Sequence, residues 1–594
     1  MAATGTKNND VPVLIVGAGP VGLALAGDLG WRGIRTILVE KSDGAIRQAK
    51  MDMVGIRSME YCRRWGIVPW VEGAGYNRDY PQDCAWVTNL NGHEFGREFF
   101  PAPRAEKCPP QSPQKRERCP QNFFDPVLRR FAERSGLCTL RYETELIDFT
   151  EHDDKVVATL RDLRSGKEET VVTAYMVGTD GGASTVRRKL DIPMDGPEAL
   201  TYTTNVIFRC DGLEKLHRMR PAYRYIFIGL EGTWATLVAI NGRDQWRFSL
   251  VGDSERRAYS EQELHAAIVR AVGREFDFEI LSILPWVRRQ QVARRYGAKR
   301  VFLAGDAAHL TSPTGGFGMN TGIQDAVNLA WKLAARIEGW GGEHLLGSYE
   351  SEQRPVGLRN VAEATDNLNR MLNPRVAQPP KELFEDSPEG DRARKEFGDR
   401  YTETMKREWF SIGIHLGYMY EHSPIIVPDG TPQPPDTVQT YQPTARPGSR
   451  APHVWLAERK STLDLFGREF VLLRFGEDAP SGEGFVSAAQ RRGLPLRVET
   501  ILDAGARDIY ERRLVLVRPD GQSAWRGDRE PGDVLRVIDV VRGAAGEGGL
   551  AAADHDRAVR EHFLLPSLGK WNVWLRASLP ASCHPRLGLF RDGM

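Results

Sequence analysis

Three short segments of this chain carry residues whose type and spacing suit a phosphorylated, sugar-bearing ligand. In the first, Gly17-x-Gly19-x-x-Gly22, with Pro20 inside it, stands where the apolar run VPVLIVG gives way to helical spacing. Missing side chains there let a pyrophosphate reach the positive N-terminus of a helix. Glu40 closes the next apolar run, RTILVE, ahead of Lys41, and is placed to bond a ribose hydroxyl. In the second, Gly178-Thr179-Asp180-Gly181 follows a β-rich run. In the third, Gly305-Asp306 follows RVFLA and leads through Pro313 to Gly318, Met319 and Asn320. Asp306 is a carboxylate at a strand end, able to accept from sugar hydroxyls. The glycine-rich loop after it aims backbone N–H groups and the dipole of the next helix outward. A separate aspartate, Asp52, lies between Met51 and Met53. Partial desolvation there predicts a carboxyl raised toward the range of a useful base.

These residues need a framework, and the hydrophobic pattern supplies one. Residues 11 to 40 read as a βαβ unit whose helix carries Val21, Leu25 and Leu29 on one face. Asn320 through Lys332 read as a helix with Ile323, Ala326 and Ala330 aligned. Residues 84 to 100 predict a hairpin that leaves the first layer, turning at Asn91-Gly92 with positive φ. A meander follows between Leu140 and Gly178, then a second antiparallel sheet from Thr201, in which Tyr223, Tyr225, Trp234 and Trp246 read as core. The basic run from Arg288 to Arg300 reads as a solvated face. The many prolines between Pro424 and Pro452 mark a strap, and EFVLLRF, PLRVETI and RLVLVRPDGQSAWR supply strands of a further unit turning at Pro519-Asp520-Gly521.

Composition narrows the class. The chain has 594 residues and a formal net charge of +1, which gives no broad drive toward nucleic acid or an anionic membrane. Its seven cysteines are scattered without a C-x-x-C pair, which argues against a disulfide framework or a dithiol redox centre and for a reducing cytoplasm. No apolar run reaches the roughly 18 to 20 residues of a membrane span, and no histidine cluster has metal-ligand spacing.

The three glycine and carboxylate motifs, in this order, resemble the class A aromatic hydroxylases, the single-component flavoproteins typified by para-hydroxybenzoate hydroxylase and phenol hydroxylase. The resemblance covers about residues 11 to 370. It implies an α/β architecture: a discontinuous Rossmann-like FAD-binding domain (1–190 and 291–373), an inserted antiparallel-sheet substrate domain (191–290), a helical and Pro-rich linker (374–449) and a thioredoxin-like domain (450–541). Residues 542–594 match no pattern. It further implies bound FAD, NAD(P)H as a visiting electron donor, O2, and hydroxylation of a phenol-like small molecule through a flavin C4a-hydroperoxide, in a homo-oligomer, most simply a dimer. Within it, Arg47, Arg118 and Gln121 correspond to cofactor contacts, Asp180 to a residue serving both FAD and the nicotinamide, and Pro313 to the proline at the reactive flavin edge. Asp52 and Arg247 match the segments beside the phenol hydroxyl, where Ser249 replaces a tyrosine. The same scaffold also admits epoxidation or Baeyer–Villiger oxygenation of a polyketide-like substrate, and an FAD-binding sensor without turnover is the non-enzymatic alternative.

Overall fold

In the computed structural model, which describes residues 10–46, 51–376 and 378–545, the apolar runs around the glycine motifs assemble into one mixed sheet. Its strands lie in the order Cys138–Arg141, Thr36–Val39, Val11–Val16, Glu168–Gly178, Val156–Asp162, Thr144–Glu151, with Val301–Leu303 also paired to Glu168–Gly178. The long strand Glu168–Gly178 runs parallel to Val11–Val16 and Val301–Leu303 near its end, and antiparallel to Val156–Asp162 near its start. The C-terminal ends of the parallel strands therefore meet at Val16, Gly178 and Leu303. Both faces there are covered, which is why those strands read as continuous apolar runs rather than alternating ones.

A second sheet runs Glu279–Arg288, Thr201–Arg209, Gln245–Asp253, Gly232–Ala239, Arg224–Gly229, Cys84–Val87, Glu94–Glu98. The hairpin at 84–98 thus extends this sheet, through a parallel pairing of Cys84–Val87 with Arg224–Gly229. Its turn differs from the expected tight one: the connection spans Thr88 to His93, closed by Thr88 N–H to the His93 carbonyl at 3.0 Å, and neither Asn91 nor Gly92 has positive φ. Asn89 explains the change, since its Oδ1 accepts from the Asn91 N–H at 2.9 Å and folds the loop as an Asx turn. One face of the sheet buries Phe208, Tyr225, Leu237, Trp246 and Phe248 against the helix Glu261–Val272. The opposite face is the floor of a cavity.

Two long helices, Phe317–Ile337 and Ser348–Val376, bridge the sheets. Beyond them, the helix Pro388–Trp409 lies on the hairpin, where Trp86 Nε1 donates to Thr402 Oγ1 at 2.7 Å. The proline-rich strap is held strand-like against the last unit by Val427 N–H to Ala524 O and Gly448 N–H to Ser523 O. That unit has the sheet order Leu496–Ile501, Phe470–Phe475, Leu514–Val517, Ser523–Gly527, with only the first two parallel. Trp331 and Trp340 pack against its Phe470, and its buried Arg518 pairs with Glu352 at 2.5 Å while Lys332 approaches the same carboxylate at 2.7 Å. Such buried charges add little net stability but disfavour any other docking, because each unpaired partner would be left dry. Among the described residues no helix is long and apolar enough to cross a membrane.

Candidate active site

The strand ends at Val16, Gly178 and Leu303 form a cradle made of backbone. Gly17 has φ +105°, and a Cβ on it would fall 2.5 Å from the Thr179 carbonyl; one on Gly22 would fall 2.0 Å from the Gly17 carbonyl. Gly19 is the opposite case, with nothing within 4 Å of where a Cβ would stand. Pro20 then opens the helix Pro20–Trp31, whose first turn has neither a side-chain cap nor an acid. The helix Phe317–Ile337 begins the same way, after Gly315 and Gly316 at φ +89° and +68°. Two uncapped N-termini beside an open glycine fit the pyrophosphate and ring edge of a flavin dinucleotide. Glu40 accepts from the Ala18 and Ser42 N–H groups, each at 2.9 Å, which fixes its carboxylate beside the loop, and Lys41 is exposed next to it.

The other predicted cofactor residues fall into place unevenly. Both oxygens of Asp180 are occupied by the start of the helix Thr185–Lys189: Oδ1 by Ser184 Oγ at 2.5 Å, Oδ2 by the Thr185 and Val186 N–H groups at 2.7 and 3.1 Å. Its side chain is a helix cap, while its backbone abuts Gly17. Gly305 donates its N–H to the buried Asp325 at 2.9 Å, and His309 Nε2 bonds the same oxygen at 2.8 Å, so this pair pins the strand end from which the exposed Asp306 projects. Asn320 ties two segments together: its Oδ1 accepts from Gly55 N–H at 2.8 Å and Ser58 Oγ at 2.7 Å, and its Nδ2 donates to Gly316 O at 2.7 Å. Gly318 and Met319, half-buried, form the first turn between. Gln121 is buried, bonding Asp125 at 3.1 Å, and its N–H holds the Met51 carbonyl at 3.0 Å. Arg47 lies outside the described residues.

Next to Pro313 opens a cavity of about 500 Å³ between the second sheet and the segments 99–118 and 408–415. Its floor follows from strand alternation: Thr236, Ser249, Asn205 and Leu284 stand opposite one another across four strands and face the cavity, while their neighbours face the core. At one end stands Asp52. Arg118 Nη1 reaches its Oδ1 at 3.2 Å, Arg247 Nη2 its Oδ2 at 3.1 Å, and the Tyr223 hydroxyl donates to Oδ2 as well. Arg118 also stacks over the Tyr223 ring, 3.6 Å from its centroid, and donates to Gln82 at 2.7 Å. It therefore sits on the cavity side with Asp52. Ser249 Oγ donates to Asn205 Oδ1 at 2.7 Å and leaves the space a larger side chain would fill.

This geometry corrects the expected chemistry of Asp52. Burial by itself raises its carboxyl, but Arg118, Arg247 and the Tyr223 hydrogen bond outweigh it and hold the group below its ordinary 3.8. Burial pushes the Tyr223 phenol well up, so it stays a donor. His415, on the far wall, is lowered to about 4 by burial and by Arg116 and Arg359, and is neutral at pH 7. Tyr223 was missed because alternation pairs it with Tyr225, whose ring is core; the strand begins only at Arg224, after Pro221, so Tyr223 escapes that face. Arg288, expected on a solvated face, is 6% exposed and lines the cavity.

Comparison with known proteins agrees with this cradle and cavity. An FAD binding domain family matches residues 10–364, and an aromatic-ring hydroxylase C-terminal family matches residues 444–545. The solved structure of the rebeccamycin biosynthetic enzyme RebC with reduced flavin is 38% identical, with a TM-score of 0.83 over 90% of this chain and 99% of that one. The 4-methyl-5-nitrocatechol 5-monooxygenase of a Burkholderia species is 32% identical over 87% of this chain and 94% of its own. The tetracenomycin A2 monooxygenase-dioxygenase of Streptomyces glaucescens is 32% identical over 89% and 95%. Fold, cradle and cavity thus define a flavoprotein monooxygenase. The chain belongs to the FAD-binding aromatic-ring hydroxylases, the class A flavin monooxygenases related to para-hydroxybenzoate hydroxylase, with FAD as cofactor and the NAD(P)H dependence typical of that family.

Proposed function

We propose that this monooxygenase hydroxylates a fused-ring, phenol-bearing aromatic whose hydroxyl docks on Asp52. The observation that carries the reading is the Asp52 carboxylate held by Arg118, Arg247 and Tyr223 beside Pro313. Two arginines keep Asp52 ionised, so it accepts a hydrogen bond from the substrate hydroxyl and orients the ring carbon next to it toward the Pro313 loop. Tyr223 and the guanidinium groups fix the carboxylate's rotamer, which limits the positions the ring can take. FAD, when bound, supplies the electrons taken from NAD(P)H and the activated oxygen. The uncapped start of the helix Phe317–Ile337 offers N–H groups where negative charge would develop on the reduced ring.

Size supports a fused-ring substrate over a simple phenol. A cavity of about 500 Å³ falls within the roughly 300–1,000 Å³ of sites that enclose drug-sized ligands, and Ser249 enlarges it where phenol hydroxylase has a tyrosine. The tetracenomycin relative supports the same direction. The test is to supply the holoenzyme with NAD(P)H, O2 and a panel of single-ring and fused-ring phenols, and to analyse the products by mass spectrometry. One oxygen atom gained on a fused-ring phenol is the expected result. NAD(P)H oxidation without oxygen gain on any phenol, or a lactone formed from a cyclic aromatic ketone supplied alongside the panel, would overturn it.

We also infer that residues 450–541 form a thioredoxin-like unit. The sheet order, with one parallel and two antiparallel pairings, and the helices Glu483–Arg492, Ala504–Tyr510 and Val534–Val541 support that reading. With no cysteine in that span, its part is to dock on Trp331 and Glu352 rather than to carry electrons.

A further inference from the structure

The cavity has a second polar end that hydroxyl chemistry at Asp52 does not use. Arg288 closes the strand Glu279–Arg288, and alternation with Leu284 and Trp286 turns its side chain to the cavity face. Its Nε donates to Thr203 Oγ1 at 3.0 Å and its Nη1 to Ser312 Oγ at 3.4 Å. Both partners are neutral hydroxyls. Among the described residues no carboxylate pairs with it, although it is 6% exposed.

The other arginines of the cavity differ. Arg116 is paired with Glu106 at 3.0 Å, Arg118 and Arg247 with Asp52, and Arg224 with Glu408 at 2.8 Å. Glu408 takes both Arg224 and the Gly315 N–H, at 3.2 Å, on Oε1, leaves Oε2 without a hydrogen bond, and acts on Arg288 through its field and not through a bond. Burial and the neighbouring Arg224 and Arg247 outweigh the field of Glu408 and press the Arg288 guanidinium down to about 9, which still leaves it a cation at neutral pH. A dry cation is costly, and the one carboxylate whose field reaches it, Glu408, is bonded to Arg224 and compensates it only in part. The rest of the compensation is left to whatever enters the cavity.

We infer that the substrate carries a carboxylate, distinct from its reactive hydroxyl, and that Arg288 is the residue that selects for it. This rests on the proposal of an aromatic substrate and adds its charge. A guanidinium fork presents parallel N–H donors to a carboxylate, a geometry no hydroxyl or ketone matches. The spacing sets where on the molecule the acid must lie. Along the strand Thr201–Arg209, Thr201 stands opposite Arg288 and Ile207 opposite Arg247, a separation of about 20 Å of backbone that the two long side chains shorten from both ends. A hydroxyl and a carboxylate on opposite ends of a fused ring system suit that span better than two groups on one ring.

A matched pair of probes tests this: 6-hydroxy-2-naphthoic acid and 2-naphthol, titrated calorimetrically into the holoenzyme and into Arg288→Met and Arg288→Lys variants, with FAD content measured on each preparation. The expected result is that the wild type binds the acid about tenfold or more tighter than the naphthol, the strength of one charge-assisted pair. Arg288→Met should abolish that preference while leaving naphthol affinity and FAD content unchanged, and Arg288→Lys should restore part of it. Equal affinity for both probes in the wild type, an equal loss of both in Arg288→Met, or FAD lost from a folded Arg288→Met protein would each overturn the carboxylate assignment. Failure of the wild type to bind either probe would instead overturn the aromatic-substrate reading beneath it.

Discussion

The cofactor cradle and the substrate cavity lie side by side but are built in opposite ways. The cradle is backbone: Gly17, Gly22 and Gly305 let three strand ends and two helix starts approach within distances that a Cβ would forbid. Its parts come from short contiguous segments, and removing side chains is what makes it work. The cavity is side chains: Asp52, Arg118, Tyr223, Arg247 and Arg288 come from five separate stretches and meet only through sheet register and packing. A ligand common to many enzymes is met by geometry that tolerates no addition, and a ligand particular to one is met by groups that can be exchanged singly. Substitutions in the two regions should therefore fail differently.

The largest effect is expected in the cradle. Gly22→Val would drive a branched side chain into the Gly17 carbonyl and Thr179 Oγ1, and should cut the FAD content of purified protein by about tenfold or more, read from the flavin absorbance relative to the protein band. Normal flavin content would show that the cradle tolerates side chains and would erase the contrast. In the cavity, Asp52→Asn should leave FAD content intact and lower kcat by roughly 10²-fold; unchanged turnover of a hydroxylated substrate would remove Asp52 from the mechanism.

Tyr223→Phe is milder and sharper. Asp52 is held below its ordinary 3.8, so the ionised form persists through the neutral range and the acid limb of kcat/KM lies below the usual carboxylate range. Removing the Tyr223 hydrogen bond should move that limb to higher pH and lower the rate by about three- to tenfold. A limb that stays in place, or moves down, would show that the arginines alone set the carboxylate. The smallest effect is expected at Asp180, whose oxygens are bound to a helix start. Asp180→Ala should cost about 1 kcal/mol of stability in a denaturant titration and leave FAD content unchanged. Loss of flavin without loss of stability would move that side chain from cap to cofactor contact.

Much of this molecule was legible from local pattern. The helix starting at Pro20 is observed at Pro20–Trp31, and the one read from Asn320 to Lys332 lies inside Phe317–Ile337, because helical periodicity and glycine punctuation act within a few residues of chain. The hairpin turns at Asn91-Gly92 as expected but without the positive φ, for an equally local reason, since Asn89 competes for the loop's N–H groups. The composition of the cavity was not legible in the same way. Alternation assigned Tyr223 to the core and charge density assigned Arg288 to solvent, and both were overruled by where a strand begins and which face it turns inward.

Sequence by itself determined the cradle, since a carbonyl 2.0 Å from a would-be Cβ admits only glycine at Gly22, and such a requirement is written at that position. Tertiary structure alone decided the electrostatics of Asp52. Two methionine neighbours predict a raised carboxyl, but Arg118 and Arg247 arrive from 66 and 195 residues away and lower it. Coulomb energy depends on distance in space, and only the folded sheet sets that distance.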